Sequence, residues 1–341
     1  DMAKMKSEVQ YQRGQRLGYS LKDRLIAYMP RYARAAVFLR LLFMLRNSSG
    51  IIAGLAEKVT GISAQRRLPV FRGDFFRDRE ADVPTTTEGS QKEVVLFVDT
   101  FGRWIEPAIP RAAMRVLSSA GYRVVIAQPS QGRPLCCGRT YLAAGMLDKA
   151  KAEAQRTIKA LLPHIQAGHP IVGLEPSCLL TMRDEFKALV PGGEADALAD
   201  NAFLFEEFIA RETASGRMDL SFAETAGRAY VHGHCHQKAA GVMPAMSQAL
   251  AQLPGIDPSV IESSCCGMAG AFGYDAKTID VSKAMGELSL LPAVRAAEDD
   301  ALIIANGTSC RHQIAEGTNR KALHLAPVLD ASLLKENGDL A

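Results

Sequence analysis

Residues 259–273 read SVIESSCCGMAGAFG, a β-branched run that ends in two adjacent cysteines and a glycine-rich turn. Residues 122–140, YRVVIAQPSQGRPLCCGRT, have the same form. Four of the chain's seven cysteines therefore stand in two CCG triplets, each just beyond an expected strand. Working outward, EVVLFVD (93–99) and YRVVIAQ (122–128) flank a helical stretch closed by Gly121. The helix LDKAKAEAQRTIKALLPHI and the strand HPIVGLE (169–175) follow. A second series repeats the order: RAYVHGH (228–234), a helix near 239–253, SVIESS (259–264), a helix around 282–297 and ALIIANG (301–307). Strands alternating with helices predict parallel sheets with helical cover. The fold class expected is α/β, two duplicated parallel-sheet βαβ halves after a helical N-terminal segment.

The remaining cysteines keep the repeat. The second half runs Cys235, 29 residues, Cys265–Cys266, 43 residues, Cys310. The first runs Cys136–Cys137, 40 residues, Cys178, with Thr100 or Asp99 where Cys235 would be matched. In open α/β sheets ligands collect beyond the carboxyl ends of the strands, where loops bring distant residues together. Four thiolates meeting there suit zinc or a [4Fe–4S] cluster. Gly138 and Gly267 are expected to let bare backbone approach such a group and offer N–H donors to sulfur. A lone buried cysteine is more often a small hydrophobe, but that does not explain two matched triplets. His232, His234 and His236 flank Cys235 and share one face if the strand continues; His234 and His236 are candidates to support the ligands rather than to bind. His312 follows Cys310 by two residues.

The segment 1–70 has apolar residues at helical spacing, broken at Pro30, and residues 71–92 read as a polar connection. The halves are then 93–215 and 216–341. The chain is 341 residues long with net charge +3, and 48% of its residues are hydrophobic, as expected of a globular protein with a real core. Residues 1–80 hold 16 Lys and Arg against 7 Asp and Glu, a surplus facing an acidic surface, a membrane or simply solvent. No nucleic-acid-binding motif accompanies it. The longest apolar run, Ala35–Leu45, is interrupted by Arg40 and is too short to span a bilayer. Cysteines without a secretory signal predict a reducing, cytoplasmic setting, with association at the inner membrane face open. An opening Asp rather than Met suggests a piece of something longer.

The CCG triplets, the stretch GHCHQKA and the stretch NGTSCRHQI together resemble the cysteine-rich CCG domain of the glycolate oxidase iron–sulfur subunit, lactate-utilisation proteins and heterodisulfide reductase. Over its whole length the chain is similar to the C-terminal region of bacterial fusion flavoproteins that oxidise D-lactate or D-2-hydroxyglutarate. That resemblance implies an iron–sulfur electron-transfer module whose FAD lies in an upstream domain, with the segment 1–70 ending a ferredoxin-like region. It also implies flavin and ferredoxin-like partner domains and a downstream acceptor, a quinone or carrier protein. The implied metal ligands are Cys235, Cys265, Cys266 and Cys310, with Cys136, Cys137 and Cys178 in the first half. Gly307 and Glu175 stand where the heterodisulfide reductase pattern has a further cysteine, so a five-thiolate cluster and disulfide-reducing chemistry are not expected. The isolated chain is not expected to be catalytic alone. The rival expectation is a docking module whose cysteine site, zinc-bound or empty, only holds the fold.

Overall fold

The computed structural model describes residues 2–81, 92–129, 131–225 and 227–334. Two four-stranded parallel sheets form the frame. The first contains β1 (Lys92–Phe97), β2 (Tyr122–Ile126), β3 (Ile171–Gly173) and β4 (Ala202–Leu204), in the order β2-β1-β3-β4. The second contains β5 (Gly227–Val231), β6 (Ile256–Val260), β7 (Leu302–Ile304) and β8 (Ala322–Leu323), in the order β6-β5-β7-β8. The α/β duplication read from the sequence is therefore present. In each sheet the chain leaves the first strand to one side and returns on the other, so a crevice opens between β1 and β3 and between β5 and β7.

Central strands are apolar over their buried ends, where helices cover both faces. Val94, Val95 and Leu96 of β1 are fully buried. By contrast β6, an edge strand, carries Pro258 and is largely exposed, as a chain position without a full ladder allows. The two sheets share a core. The helix Leu325–Ser332, which follows β8, packs on Ala108–Ser119 of the first half. Reciprocally, Phe205–Ala214, which follows β4, packs on Met243–Leu250 of the second. Leu117, Phe205, Phe208, Met246, Leu250, Leu325 and Leu329 meet in one cluster.

Several expectations change. The break expected at Pro30 falls just before it, at Tyr28 between Leu21–Ala27 and Met29–Phe38, and Pro30 stands in the first turn of the second helix, where its missing N–H costs nothing. The helix expected over 239–253 is two, Cys235–Ala239 and Met243–Leu250, with Gly241 in a left-handed turn between them. The one expected over 282–297 divides into Ile279–Glu287 and Leu290–Ala296. The strand expected over 259–264 lies earlier, at 256–260, which puts Ser263 and Ser264 in the loop. Within the supposed connection 71–92, Phe71 and Phe76 are buried, so its first part is packed structure; residues 82–91 lie outside the described residues.

Candidate metal centre

β5 stops at Val231, so the run VHGHCHQ leaves the sheet and its histidines do not share a strand face. His232 takes the first position beyond β5 and is fully buried. His234 is the N-cap of Cys235–Ala239, its Nδ1 accepting from the backbone N–H of His236 at 3.2 Å. Cys235 therefore opens a helix at the end of β5, Cys265 and Cys266 follow β6, and Cys310 lies in the helix Thr308–Thr318 that follows β7. All four converge at the crevice of the second sheet.

The thiols form a row. Cys235 contacts Cys265, Cys265 contacts Cys266, and Cys266 contacts Cys310. Among the described residues, the one group of three donors lying within 4.8 Å of one another is His232, Cys266 and Cys310. Hydrogen bonds from Cys235 and Cys266, helped by the N–H of Gly267, hold the Cys265 thiol far below its ordinary value. The hydrogen bond from Cys266 does the same for Cys310. Cys235 and Cys266 are raised in turn, chiefly by the hydrogen bonds they give to these neighbours and then by burial. Cys265 and Cys310 thus take on thiolate character, the form that binds metals, while Cys235 and Cys266 hold the protons between them.

The first half keeps the scaffold without that chemistry. Asp99 caps Thr100–Trp104 as His234 caps its helix, so Thr100 is the counterpart of Cys235; its hydroxyl faces Cys136 Sγ at 3.8 Å. Cys136 is raised by its bond to Cys137 and by burial. Cys178, although it accepts from Cys137, is pushed up to about 12 by burial and the carboxylates of Asp99 and Glu175. Cys136, Cys137 and Cys178 are all buried, and among the described residues they do not form a three-donor group of the kind seen at His232.

Gly138 and Gly267 offer N–H donors to sulfur, as expected, and have a packing use as well. Both adopt positive φ, 75° and 88°, and both N–H groups reach back to the sulfur two residues earlier, Cys136 at 3.4 Å and Cys265 at 3.3 Å. The close approach, however, is to a helix. A Cβ at Gly267 would stand 2.1 Å from the carbonyl oxygen of Ser282, and one at Gly138 3.3 Å from that of Ala150. These glycines seat the CCG turn on the following helix and aim N–H groups at sulfur.

Positions 175 and 307 also acquire roles. One Glu175 oxygen caps its own helix by accepting from Ser177 N–H at 3.3 Å, and the other accepts from Thr308 N–H at 2.9 Å. A single carboxylate thereby caps the helix bearing Cys178 and the one bearing Cys310. At Gly307 the obstacle is His234, whose Cδ2 lies 2.4 Å from where a Cβ would be. Of the other histidines, His236 turns to Arg139, with Nε2 at 3.0 Å, and burial followed by that guanidinium lowers it to about 3. His312 bonds Tyr274 at 2.8 Å. Neither faces the thiols. His232, which the sequence marked only as a neighbour of Cys235, is the histidine that joins Cys266 and Cys310 in a three-donor group; its position directly after a strand was the available signal.

A metal group fits the second-half residues. Four sulfur donors and an imidazole are assembled, and the buried Nε2 of His232 has no nitrogen or oxygen partner. The donor types leave iron–sulfur and zinc both open.

Comparison with known proteins agrees with the duplication. The cysteine-rich domain model named CCG matches residues 98–183 and again 229–315, together half of the chain. The chain is 23% identical over 282 residues to a subunit of the anaerobic glycerol-3-phosphate dehydrogenase of Escherichia coli strain K12, covering 82% of this chain and 69% of that protein. It is 26% identical over 312 residues to the D-2-hydroxyglutarate dehydrogenase of the same strain, covering 87% of this chain but 29% of that enzyme. The corresponding dehydrogenase of Pseudomonas putida is 28% identical over 242 residues, with 22% of its length covered. The chain thus spans less than a third of these D-2-hydroxyglutarate dehydrogenases. With both matched stretches falling on the two sheets and their cysteine loops, this chain belongs to the CCG family of cysteine-rich domains and carries two copies of the domain.

Proposed function

We propose that this chain is the iron–sulfur electron-transfer part of an FAD-dependent D-2-hydroxy-acid dehydrogenase of the D-lactate, D-2-hydroxyglutarate or glycolate type. The observation that carries the reading is the convergence of Cys235, Cys265, Cys266, Cys310 and His232 at one sheet crevice, in a chain similar to dehydrogenase subunits and domains. Cys235, Cys265, Cys266 and Cys310 would hold a [4Fe–4S] cluster, which when bound supplies a one-electron donor and acceptor. Burial of Cys266 and Cys310 keeps water from that side, while Cys235 and Cys265 are partly exposed and leave a face toward a redox partner. The Gly267 N–H stabilises negative charge on Cys265. On this reading FAD belongs to a flavin domain outside this chain, and a ferredoxin-like domain and a quinone or carrier protein complete the electron path. The three first-half cysteines remain thiols.

The reading extends to place. No helix among the described residues is long and apolar enough to cross a membrane. Yet Phe38, Leu41, Leu42, Ile51, Leu55 and Val59 expose apolar side chains, with Phe38 83% and Ile51 88% accessible. Between Asp23 and Glu57 there is no acidic residue, and Arg24, Arg31, Arg34 and Arg40 are exposed. An apolar face whose exposed charges are these arginines and Lys58 matches the inner face of an anionic bilayer.

Anaerobic loading with iron and sulfide, followed by metal and sulfide analysis, tests the function. Bound iron with acid-labile sulfide supports it. Stoichiometric zinc without iron would replace it with the docking-module reading, in which the cysteines only hold the fold.

A further inference from the structure

We infer that His232 is itself a ligand of the metal group, through Nε2, and that His234 beside it acts only as an N–H donor. The inference rests on the reading that the second-half site holds a metal. It follows from how each ring is held. His232 Nδ1 lies 2.9 Å from the Ser263 hydroxyl oxygen. That hydroxyl can give its hydrogen to the carbonyl of Ile261 at 3.4 Å, and its oxygen also faces the Lys238 ammonium at 3.3 Å. With its hydrogen directed at Ile261, the oxygen is left as an acceptor, and the proton of the neutral ring belongs on Nδ1. Nε2 then carries a lone pair.

That lone pair is fully buried and meets no nitrogen or oxygen donor. What it meets is sulfur: one nitrogen of His232 and the thiols of Cys266 and Cys310 lie mutually within 4.8 Å. A ring fixed at one nitrogen by a hydroxyl and presenting the other to two thiols is held as metal-binding histidines are, with a partner setting the tautomer. His234 has the reverse arrangement. Its Nδ1 is the acceptor, taking the His236 N–H, so its proton sits on Nε2 and that nitrogen can donate to sulfur but not ligate. Its ring is kept beside Cys310 because position 307 is glycine: a Cβ there would lie 2.4 Å from the ring and 3.3 Å from Cys310 Sγ.

The test uses the full chain with ¹⁵N-labelled histidine, loaded anaerobically with iron(II) and sulfide, and in parallel with cobalt(II) alone. Pulsed EPR of the cobalt form, and of the iron–sulfur form after one-electron reduction with dithionite, reads directly bound imidazole nitrogen. A strong histidine coupling in the wild type, lost in His232→Cys while metal content is kept, and unchanged in His234→Asn, is the expected result. His232→Gln should lose metal to a competing chelator about ten-fold or more readily. A metal-loaded wild type without histidine coupling, or a coupling that survives in His232→Cys, would overturn the inference and leave the metal reading intact. Loading by cobalt with histidine coupling but not by iron and sulfide would overturn the redox reading and support the ligand assignment. Uptake of neither metal would overturn both.

Discussion

The guanidinium of Arg66 donates from Nε to the carbonyl oxygen of Gly273 at 2.9 Å, although the two residues are 207 positions apart. The same side chain reaches Gln313 at 2.7 Å, Glu316 at 2.8 Å and Ser282 at 3.3 Å, and is 1% exposed. Ser63 N–H adds a bond to Tyr274 at 2.8 Å, and Lys22 pairs with Asp275. The N-terminal segment thus clamps the end of the loop that carries Cys265 and Cys266.

Removing the clamp should be costly. Arg66→Ala leaves buried acceptors without a donor, and breaking such a pair costs about 3 kcal/mol. Urea unfolding should show that loss as a lower midpoint, and chelator should strip metal faster from the folded variant. An unchanged midpoint would mean the clamp is not structural.

The two CCG glycines should differ. At Gly267 an alanine methyl would collide with helix backbone, 2.1 Å from Ser282 oxygen, as well as taking a positive φ. At Gly138 the nearest atoms are 3.2 Å or more away. Gly138→Ala should therefore cost about 1–2 kcal/mol, the strain of the left-handed backbone plus a slight shift. Gly267→Ala should cost clearly more, and comparison of the two denaturation midpoints checks the order.

Glu206 gives a pH dependence. It is fully buried, accepts from Gln237 and, at 2.9 Å, from Asn306, and burial pushes its carboxyl up to about 7. In the unfolded chain the group titrates near 4.5. Between those values the folded state keeps a proton that the unfolded state loses, so stability falls as pH rises from about 4.5 to about 7, by at most about 1.4 kcal/mol per unit. Asp99, also raised to about 7 by burial and Glu175, adds a slope of the same sign. Glu206→Gln should remove its share of that slope. It should also lower stability at every pH, because both neighbouring amides are fixed as donors: Gln237 Oε1 accepts from His234 N–H at 2.8 Å and Asn306 Oδ1 from Leu325 N–H at 2.9 Å. Unfolding curves at pH 5, 6 and 7 measure both effects.

The apolar face offers a mutation that should leave the fold alone. Leu41 and Ile51 are 68% and 88% exposed, so Leu41→Glu with Ile51→Glu removes little packing. Co-sedimentation with anionic phospholipid vesicles should drop at least about ten-fold, with the melting temperature unchanged. Equal sedimentation of the double variant would remove the membrane from the account.

The sequence showed the duplication because β1, β2, β3 and β7 are β-branched runs with helices of clear period between them. It did not show β4 or β8. These are three and two residues long, AFL and AL, and take strand form only because a parallel neighbour is present. The cysteine positions were legible from spacing alone. Their inequality was not, since it depends on which side chains face them: two carboxylates near Cys178, two imidazoles near Cys310. Likewise the place of His232 depends on β5 ending at Val231, three residues before the strand reading RAYVHGH (228–234) would end it. Arg66 looked like one more charge in a basic segment, and only the tertiary fold buries it.

The most direct test of the central claim is iron and acid-labile sulfide per chain after anaerobic loading, in the wild type, Cys310→Ser and Cys178→Ser. The account predicts one cluster's worth in the wild type, its loss in Cys310→Ser and its retention in Cys178→Ser. Equal loss in both variants, or a wild type that binds zinc and no iron, would contradict it.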